Sequence, residues 1–332
     1  RGVYIDQALN VVYPADVRQD RPVEVFMAHM DVVFPDESEL PLRVEDGRIY
    51  CPGVGDDTAC LVCLLLAGKY IAEHVDSPQW REIRREDAPG LLLVCNAGEE
   101  GLGNLKGVHK ICEDFGDRIE RFCTFDSSLS SIVDRAVGSK RFRVRVRTRG
   151  GHSYDDFGND NAIAGLASLV GKLYGIRVPE GGKTTYNVGM ISGGTSVNTI
   201  AQEAEMLYEF RSDRRENLEY MERQFMEVFD RAKAEGMDVS FKVRPCEGQV
   251  DPKRKQALSD WAHRVVEEMT GQAPKHCAGS TDCNIPLSLG IPSVCVGSFR
   301  GAGAHTWEEY VETDSLEEGY KVAFGMIFGS RD

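Results

Sequence analysis

Residues 23–31 read Val-Glu-Val-Phe-Met-Ala-His-Met-Asp, an apolar run that ends in a histidine and an aspartate. The run up to Ala28 is mostly apolar and β-forming, which predicts a buried strand. In open α/β sheets the ligand site lies beyond the carboxyl ends of the strands. The polar residues that follow this strand, His29 and Asp31, are therefore the first candidates for a functional site.

Short apolar strands alternate with helical segments over both ends of the chain. Further strands are predicted at residues 91–96, 122–125 and 292–296, and helices at 57–73, 106–115, 253–270 and 315–328. This alternation predicts βαβ units and a mostly parallel sheet, so the expected fold class is α/β. The highly charged residues 76–89 are expected to form a solvated loop.

The middle of the chain has a different pattern. Residues 140–148 alternate basic and apolar side chains, which predicts a strand with one exposed face. The elements predicted after it are a helix at 161–174, strands at 184–191 and 204–211, a helix at 216–235 and a strand at 239–243. This β-α-β-β-α-β order is typical of ferredoxin-like domains. We therefore expect a catalytic domain formed by residues 1–138 and 249–332, with an inserted α+β domain at 139–248.

The composition disfavours several classes of function. The chain of 332 residues has a formal net charge of −14, which argues against nucleic acid and anionic membranes as partners because both attract basic surfaces. No apolar run approaches the roughly 20 residues that span a bilayer. Ten cysteines occur, and those in apolar runs are expected to be reduced core residues of a cytoplasmic protein. Cys60 and Cys63 form a C-x-x-C pair, but their apolar surroundings favour a buried helix face over a redox or metal pair.

Acidic residues and histidines follow several of the predicted strands. Glu99 and Glu100 follow the second strand, Asp126 ends the third and His305 lies beyond the fourth. Each residue alone is more often a surface or capping residue than a ligand. Their joint occurrence at successive strand exits favours one shared site.

Asp56 and Asp57 add two more carboxylates in a glycine-rich turn before the first predicted helix. A cluster of carboxylates is tolerable if cations neutralise it. Imidazole and carboxylate ligands suit zinc, with cobalt or manganese as relatives. Acid pairs suit a two-metal site, in which the metals share a water and polarise a carbonyl while a further carboxylate acts as general base. The residues therefore predict a two-metal hydrolytic site.

Several motifs of this chain resemble the signatures of the di-zinc exopeptidase family, which includes peptidase T, carboxypeptidase G, aminoacylase, acetylornithine deacetylase and succinyl-diaminopimelate desuccinylase. They follow the family's order and cover nearly the whole chain, and the peptidase T branch is the most similar. The motifs are Ala-His-Met-Asp (28–31), Gly-Val-Gly-Asp-Asp (53–57), Gly-Glu-Glu-Gly-Leu-Gly (98–103), Gly-Gly-His-Ser (150–153), Ser-Gly-Gly-Thr-Ser-Val-Asn-Thr-Ile (192–200), Gly-Ser-Thr-Asp-Cys-Asn (279–284) and Ala-His-Thr (304–306).

The resemblance implies a role for each candidate ligand. His29 and Asp126 are implied as ligands of one metal. Glu100 and His305 are implied as ligands of the other, and Asp56 as the carboxylate that bridges the two ions. The implied cofactors are two divalent metal ions per chain, with zinc expected and cobalt or manganese as alternatives.

The resemblance also implies supporting roles around the metals. Asp31 is expected to orient His29, as residues behind a metal-bound histidine commonly do. The peptide between Asp56 and Asp57 is expected to be cis. Glu99 is implied as the general base that takes a proton from the bridging water and later passes it to the leaving amine.

The inserted domain is implied to act as a lid. In the family, the equivalent of His152 reaches a substrate, often across a dimer, and helps to stabilise the oxyanion. Asn198 and Arg211 resemble lid residues that bind the substrate's backbone or carboxylate. A homodimer through the lid is therefore expected. The loop expected to line the pocket contains Ser280, Thr281 and Asp282.

Two residues depart from the family pattern near the predicted site. Thr58 stands where many members have lysine or methionine, and Ser127 stands where the peptidase T branch commonly has glycine. Neither change removes a ligand. Both leave the identity of the substrate open.

Four functions remain to be distinguished. The leading hypothesis is a metal-dependent exopeptidase that acts on a di- or tripeptide. The first alternative is an N-acyl-amino-acid deacylase with the same machinery. A non-catalytic metal-binding relative is a minor alternative because Glu99 and all of the implied ligands are present. A redox role of Cys60 and Cys63 is weaker still.

Overall fold

The structure is a computed structural model that describes residues 2–34, 39–78, 80, 84, 88–232 and 236–329. The chain divides into two compact units, residues 1–136 with 247–332 and residues 137–246. Each predicted domain boundary lies two residues from a boundary between these units. Much of the predicted solvated stretch at 76–89 lies outside the described residues.

The elements are numbered along the chain. The strands are β1 (Tyr4–Ile5), β2 (Val11–Ala15), β3 (Val23–His29), β4 (Arg43–Glu45), β5 (Arg48–Tyr50), β6 (Gly90–Asn96), β7 (Ile119–Phe125), β8 (Ser131–Ala136), β9 (Gly138–Arg147), β10 (Gly151–His152), β11 (Thr184–Gly193), β12 (Thr199–Ile200), β13 (Glu203–Ser212), β14 (Met237–Arg244), β15 (Lys275–Gly279), β16 (Ser293–Val296), β17 (Gly301–Ala302) and β18 (Tyr310–Glu312). The helices are α1 (Cys60–His74), α2 (Lys106–Phe115), α3 (Ala162–Leu173), α4 (Arg215–Ala232), α5 (Pro252–Thr270), α6 (Asn284–Ser288) and α7 (Ser315–Phe328).

The first unit contains an eight-stranded sheet in the order β1-β2-β6-β3-β7-β16-β8-β15. Its four central strands, β6, β3, β7 and β16, are parallel to one another. Antiparallel pairing occurs nearer the edges, between β1 and β2, β2 and β6, and β16 and β8. The predicted α/β class with a mostly parallel sheet is confirmed. Its central strands all have their carboxyl ends at one edge.

Strand β3 is buried over its whole length because helices cover both faces of the sheet. Phe26 and Ala28 pack in the core that contains residues of α1, α5 and α7. Val25 and Met27 point the other way, into the core with residues of α2 and α6. Phe26, Val25 and Met27 each contribute roughly 1.5–3 kcal/mol when fully buried. This two-sided burial explains why an unbroken apolar run forms the centre of the sheet.

Helix α1 begins at Cys60, three residues later than predicted. Asp56 and Asp57 have non-helical backbone angles, with φ/ψ of −105°/87° and −129°/20°, so the segment before the helix is an irregular turn. Cys60 and Cys63 are buried in the core below the sheet and neither is in a disulfide. Their apolar packing agrees with the helix-face interpretation.

The second unit contains a four-stranded antiparallel sheet in the order β11-β13-β9-β14. The chain order of strands β9, β11, β13 and β14 and helices α3 and α4 is the predicted β-α-β-β-α-β. Stacked Phe142 and Phe225, with ring centroids 4.0 Å apart, lie in the core between the sheet and the helices. The predicted end of the second helix at residue 235 lies outside the described residues. A separate ribbon pairs β10 with β12.

A small antiparallel sheet in the first unit, in the order β17-β18-β5-β4, was not predicted. Its strands have two or three residues each and alternate too briefly to give a sequence signal. The sheet matters because His305 lies between β17 and β18, and the turn with Asp56 follows β5. In the described part of the chain, no helix is long and apolar enough to cross a membrane.

Candidate metal centre

His29 is the last residue of β3 and is only 2% exposed. Its Nδ1–H donates to the main-chain carbonyl oxygen of Asp31, at 2.8 Å. A carbonyl oxygen only accepts, so this bond assigns the proton to Nδ1 and leaves Nε2 available as a metal ligand in the neutral ring. The other ring nitrogen, Nε2, lies 3.0 Å from Oδ1 of Asp56.

Asp56 lies between two histidines. Its Oδ1 faces Nε2 of His29 and its Oδ2 faces Nε2 of His305, each at 3.0 Å. Glu100 approaches the same nitrogen of His305 with Oε1, also at 3.0 Å. A carboxylate that presents one oxygen to each of two imidazoles has the arrangement required of a bridging ligand.

Among the described residues, three sets of side chains have potential ligand atoms within 4.8 Å of one another. These sets are His29 with Asp57 and Asp126, His29 with Glu99 and Glu100, and Asp56 with Glu100 and His305. Imidazole nitrogens and carboxylate oxygens form a donor set that suits zinc and related divalent ions. The residues present therefore fit the metals that the sequence predicts.

The cluster formed by these three sets of side chains contains more carboxylates than its two imidazoles can balance in charge. Burial alone would lower the pKa of His29, but the nearby charge of Asp57 and the hydrogen bond with Asp56 raise it well above its ordinary value. Burial raises the pKa of Asp126 to about 7, and the charge of Asp56 adds to this effect. Burial also raises the pKa of Asp57 well above its ordinary value. Bound divalent cations would supply the positive charge that keeps these acids ionised.

The turn before α1 requires glycine at two positions. Gly53 has φ of +77°, and a Cβ there would lie 2.4 Å from the side chain of Val32. A Cβ on Gly55 would lie 2.7 Å from the ring of Phe299. The peptide between Asp56 and Asp57 is cis, as the resemblance implied. Close packing therefore explains the Gly-Val-Gly-Asp-Asp motif locally.

Asp31 supports the site differently from the expectation. Its main-chain carbonyl, not its carboxylate, contacts His29. The carboxylate accepts hydrogen bonds from the backbone N–H groups of Gly98, Glu99 and Glu100, at 2.7, 3.2 and 2.9 Å. Asp31 thus holds the loop that follows β6, while its backbone orients the histidine.

The predicted pocket loop is more buried than a lining loop would be. Thr281 is 7% exposed and Asp282 1% exposed, whereas Ser280 is half-buried. Oδ2 of Asp282 accepts a hydrogen bond from Nδ2 of Asn96, the last residue of β6, at 2.8 Å. Asp282 therefore supports the end of β6, beside the proposed metal ligands. Burial raises its pKa well above the ordinary value.

The remaining predicted residues belong to the second unit. His152 is exposed on the ribbon of β10 and β12, and Nδ1 of its ring lies 3.3 Å from Asp155. The N–H of Ser153 donates to the main-chain oxygen of Asn198 at 3.0 Å, so the ribbon brings His152 and Asn198 close together. Arg211 lies on β13 and makes two hydrogen bonds with Glu209. Its guanidinium is thus already paired in this structure.

Sequence reasoning missed Glu309 and the link between Asn96 and Asp282. Glu309 is 2% exposed and accepts hydrogen bonds from the turn that carries Asp56. It directly follows another glutamate in a polar segment, so no hydrophobic pattern marks it as buried. Only its position four residues after His305 could have drawn attention to it.

The fold and the cluster together place the protein in the class of α/β metallohydrolases. A family model described as peptidase family M20/M25/M40 matches residues 25–328. The chain belongs to this family and is a metal-dependent hydrolase of amide bonds.

Individual relatives are distant. An uncharacterised protein of Bacillus subtilis strain 168 is 25% identical over 322 residues, which are 91% of this chain and 79% of that protein. A succinyl-diaminopimelate desuccinylase of Nitrosomonas eutropha is 25% identical over 320 residues, 90% of this chain and 80% of the relative. The solved structure of a tripeptidase from Staphylococcus aureus aligns with a TM-score of 0.70 at 21% identity, covering 99% of this chain and 88% of the other. This structural similarity supports the assignment of the fold.

Proposed function

We propose that this protein is an exopeptidase that cleaves the amide bond of a di- or tripeptide with the help of two divalent cations, zinc in the first instance. The observation that carries the proposal is the position of Asp56, whose two carboxylate oxygens each lie 3.0 Å from a different histidine. Such a carboxylate supports two adjacent cation sites. Cobalt or manganese would suit the same donors.

In this proposal each cation has two ligands of its own besides Asp56. His29 and Asp126 hold one ion, since both belong to one set of close ligand atoms. Glu100 and His305 hold the other, since they approach each other to 3.0 Å. When bound, the cations supply Lewis acidity at the substrate carbonyl and lower the pKa of a water.

Glu99 is the proposed general base. Its side chain is 5% exposed and has a carboxylate oxygen within the set of His29 and Glu100. The Asp31 carboxylate holds its backbone N–H, so the position of Glu99 is set by the protein. Glu99 takes a proton from the attacking water and donates it to the nitrogen of the leaving amine.

The second unit is the proposed lid and dimerisation domain. The His152 ring is exposed and would stabilise the oxyanion of a substrate. In a homodimer, that substrate would be bound by the partner subunit. Asn198 lies next to His152 and offers a side chain for the substrate backbone. Arg211 would bind a substrate carboxylate only by exchanging its bonds to Glu209. In the first unit, Ser280 is the most accessible residue of the proposed pocket loop.

An N-acyl-amino-acid deacylase is the second candidate. The 25% identity to a desuccinylase over 90% of this chain favours it. Both candidates use the same metal cluster and the same base. They differ in the group on the carbonyl side of the scissile bond, which is an aminoacyl residue with a free α-amine in a peptide and a plain acyl group in the alternative.

A substrate panel separates the two candidates. Protein reconstituted with Zn²⁺, Co²⁺ or Mn²⁺ is incubated with dipeptides, tripeptides and N-acyl amino acids, and released amines are measured. We expect hydrolysis of free-amine peptides. Hydrolysis of N-acyl amino acids alone would favour the deacylase. Fewer than one bound metal per chain together with no hydrolysis would favour a non-catalytic relative.

We also propose a cytoplasmic location. All ten cysteines are within the described residues and none forms a disulfide. Eight of them are buried. Reduced cysteines used as core residues are typical of a reducing compartment.

A further inference from the structure

Glu309 connects two parts of the cluster that lie far apart in sequence. Its Oε1 accepts hydrogen bonds from the backbone N–H groups of Gly55 and Asp56, at 2.9 and 2.8 Å. Its Oε2 accepts from the N–H of Gly53 at 2.7 Å. All three donors belong to the turn that presents Asp56. The carboxylate is 2% exposed, so these bonds are made away from water.

A buried carboxylate bound to three backbone N–H groups is an effective anchor. Bonds from N–H groups to an ionised oxygen are about twice as strong as neutral ones. Such an anchor matters for this turn, because Asp56 and Asp57 have non-helical backbone angles and lie before the first residue of α1. The close fit of Gly55 leaves little freedom, since a Cβ there would also lie 3.1 Å from Oε1 of Glu309.

The backbone of Glu309 is tied to the segment that presents His305. Its N–H donates to the carbonyl of Thr306 at 3.3 Å, and the N–H of Thr306 donates to Gly303 at 2.9 Å. Its own carbonyl accepts from the N–H of Cys51 at 3.1 Å, next to the pairing of β18 with β5. One residue thus joins the His305 segment to the Asp56 turn.

We propose that Glu309 is a positioning residue that sets the distance between Asp56 and His305, and that the affinity of the Asp56–Glu100–His305 set for a divalent cation depends on it. This inference rests on the proposed metal site, but not on the identity of the substrate. Among the described contacts of Glu309, none is to the side chain of a proposed cation ligand, and no contact with a substrate is proposed. Glu309 acts through the backbone of the turn.

The test compares three variants, with His305→Ala as the reference that identifies the binding step, by Co²⁺ titration in competition with a chromophoric chelator. The visible absorption of bound Co²⁺ is a second readout. Glu309→Gln keeps the size of the side chain but replaces one acceptor with an amide donor. Glu309→Asp keeps the charge on a shorter stem. Glu308→Gln is the matched control, because the side chain of the neighbouring Glu308 is exposed and pairs only with Arg43, at 3.3 Å, among its described contacts.

His305→Ala should abolish the Co²⁺ binding step that uses the Asp56–Glu100–His305 set. We expect Glu309→Gln to weaken this same step about 10- to 100-fold, as removal of a supporting partner typically does. The absorption spectrum of that step should change as well. Glu309→Asp should recover part of the affinity, and Glu308→Gln should bind as the unsubstituted protein does. A purely structural role would lower the melting temperature without a selective loss of this step.

Unchanged affinity and spectrum in folded Glu309→Gln would overturn the inference. If that variant does not fold, the decision falls to Glu309→Asp, for which unchanged binding has the same consequence. Normal Co²⁺ binding without hydrolysis of any amide would contradict the proposed function, while the comparison of variants would still decide the role of Glu309. Failure of the unsubstituted chain to bind Co²⁺ would contradict both.

Discussion

At the scale of single residues, the loops that carry the proposed metal ligands are held by other side chains that are themselves acidic. Asp31 and Glu309 each accept three backbone N–H bonds from a loop that carries proposed site residues. A buried carboxylate is stable only with such partners. The same bonds that satisfy these two acids therefore restrict the loops.

Glu99 should be required for turnover but not for metal binding. We expect Glu99→Ala to lower kcat by about 10²- to 10⁴-fold, the usual contribution of a general base. Metal content measured by elemental analysis should stay near that of the unsubstituted protein. Glu113→Ala is a suitable control because that side chain is exposed on α2. Loss of the metals from the Glu99 variant would show that Glu99 is a ligand and not the base.

Asp31→Asn tests the role that the structure gives to this side chain. Asparagine keeps the backbone carbonyl that orients His29 but offers one acceptor oxygen in place of two. The loop with Glu99 and Glu100 should loosen, and we expect the cation at Glu100 to bind about 10- to 100-fold more weakly. Isothermal titration with Zn²⁺ measures this. Selective weakening of the cation at His29 would favour the original expectation that the side chain serves His29.

At the scale of elements, the central strands follow directly from the sequence. Strands β3, β6, β7 and β16 are apolar runs, and each was predicted to within about three residues of its observed bounds. Strands β1, β2, β8 and β15 were missed because they lie toward the edges of the sheet. They are less regularly buried and so lack an apolar run.

The turn before α1 includes residues 57–59, which were predicted as the start of the helix, and this error has a physical cause. Its residues carry no helix-breaking proline, and acids at a helix start are common N-terminal features. The observed turn forms because Val32, Phe299 and Glu309 pack against it. These residues are distant in sequence, so no local propensity encodes the turn.

Gly55→Ala should destabilise the turn. Its Cβ would overlap the ring of Phe299, and overpacking of this kind costs about 1–3 kcal/mol of unfolding free energy. Gly116→Ala is the matched control, because a Cβ there meets no atom within 4 Å. Urea unfolding of the metal-free variants measures the difference. Equal stability of the two variants would show that the ring moves aside without cost.

At the scale of the whole molecule, the unbalanced acids should link stability, pH and metal. The pKa of Asp126 is raised to about 7 and that of His29 lies well above its ordinary value. Between the ordinary and the raised pKa values, the folded metal-free chain holds protons that the unfolded chain has released. Its free energy of unfolding must therefore fall as pH rises through this range.

We expect the melting temperature of the metal-free protein to fall between about pH 5 and about pH 8. Metal binding releases the same protons, so the rise in melting temperature on addition of Zn²⁺ should grow over that range. Differential scanning fluorimetry with and without chelator measures both trends. Asp126→Asn should flatten the metal-free curve. A metal-free melting temperature that rises with pH would contradict the assigned charges.

The proposed lid makes a prediction about the assembly. His152→Ala should cripple turnover while both cations still bind, because the histidine belongs to the second unit. If the histidine acts across a dimer, mixing inactive His152→Ala and Glu99→Ala chains should restore part of the activity. Sedimentation gives the oligomeric state. A monomeric protein whose His152→Ala variant is fully active would contradict the role across subunits.

The amino-acid sequence by itself determined the parallel centre of the sheet, the β-α-β-β-α-β order of the second unit and the candidate ligands. These features depend on local periodicity and on which residues directly follow a strand. Only the tertiary structure decided how the ligands are held. Asp31 accepts hydrogen bonds from residues 98–100, Asp282 accepts one from Asn96, and Glu309 accepts one from Gly53 across 256 positions of sequence. Such contacts form between backbone groups and side chains that are brought together by the packing of strands and helices, and no local pattern specifies them.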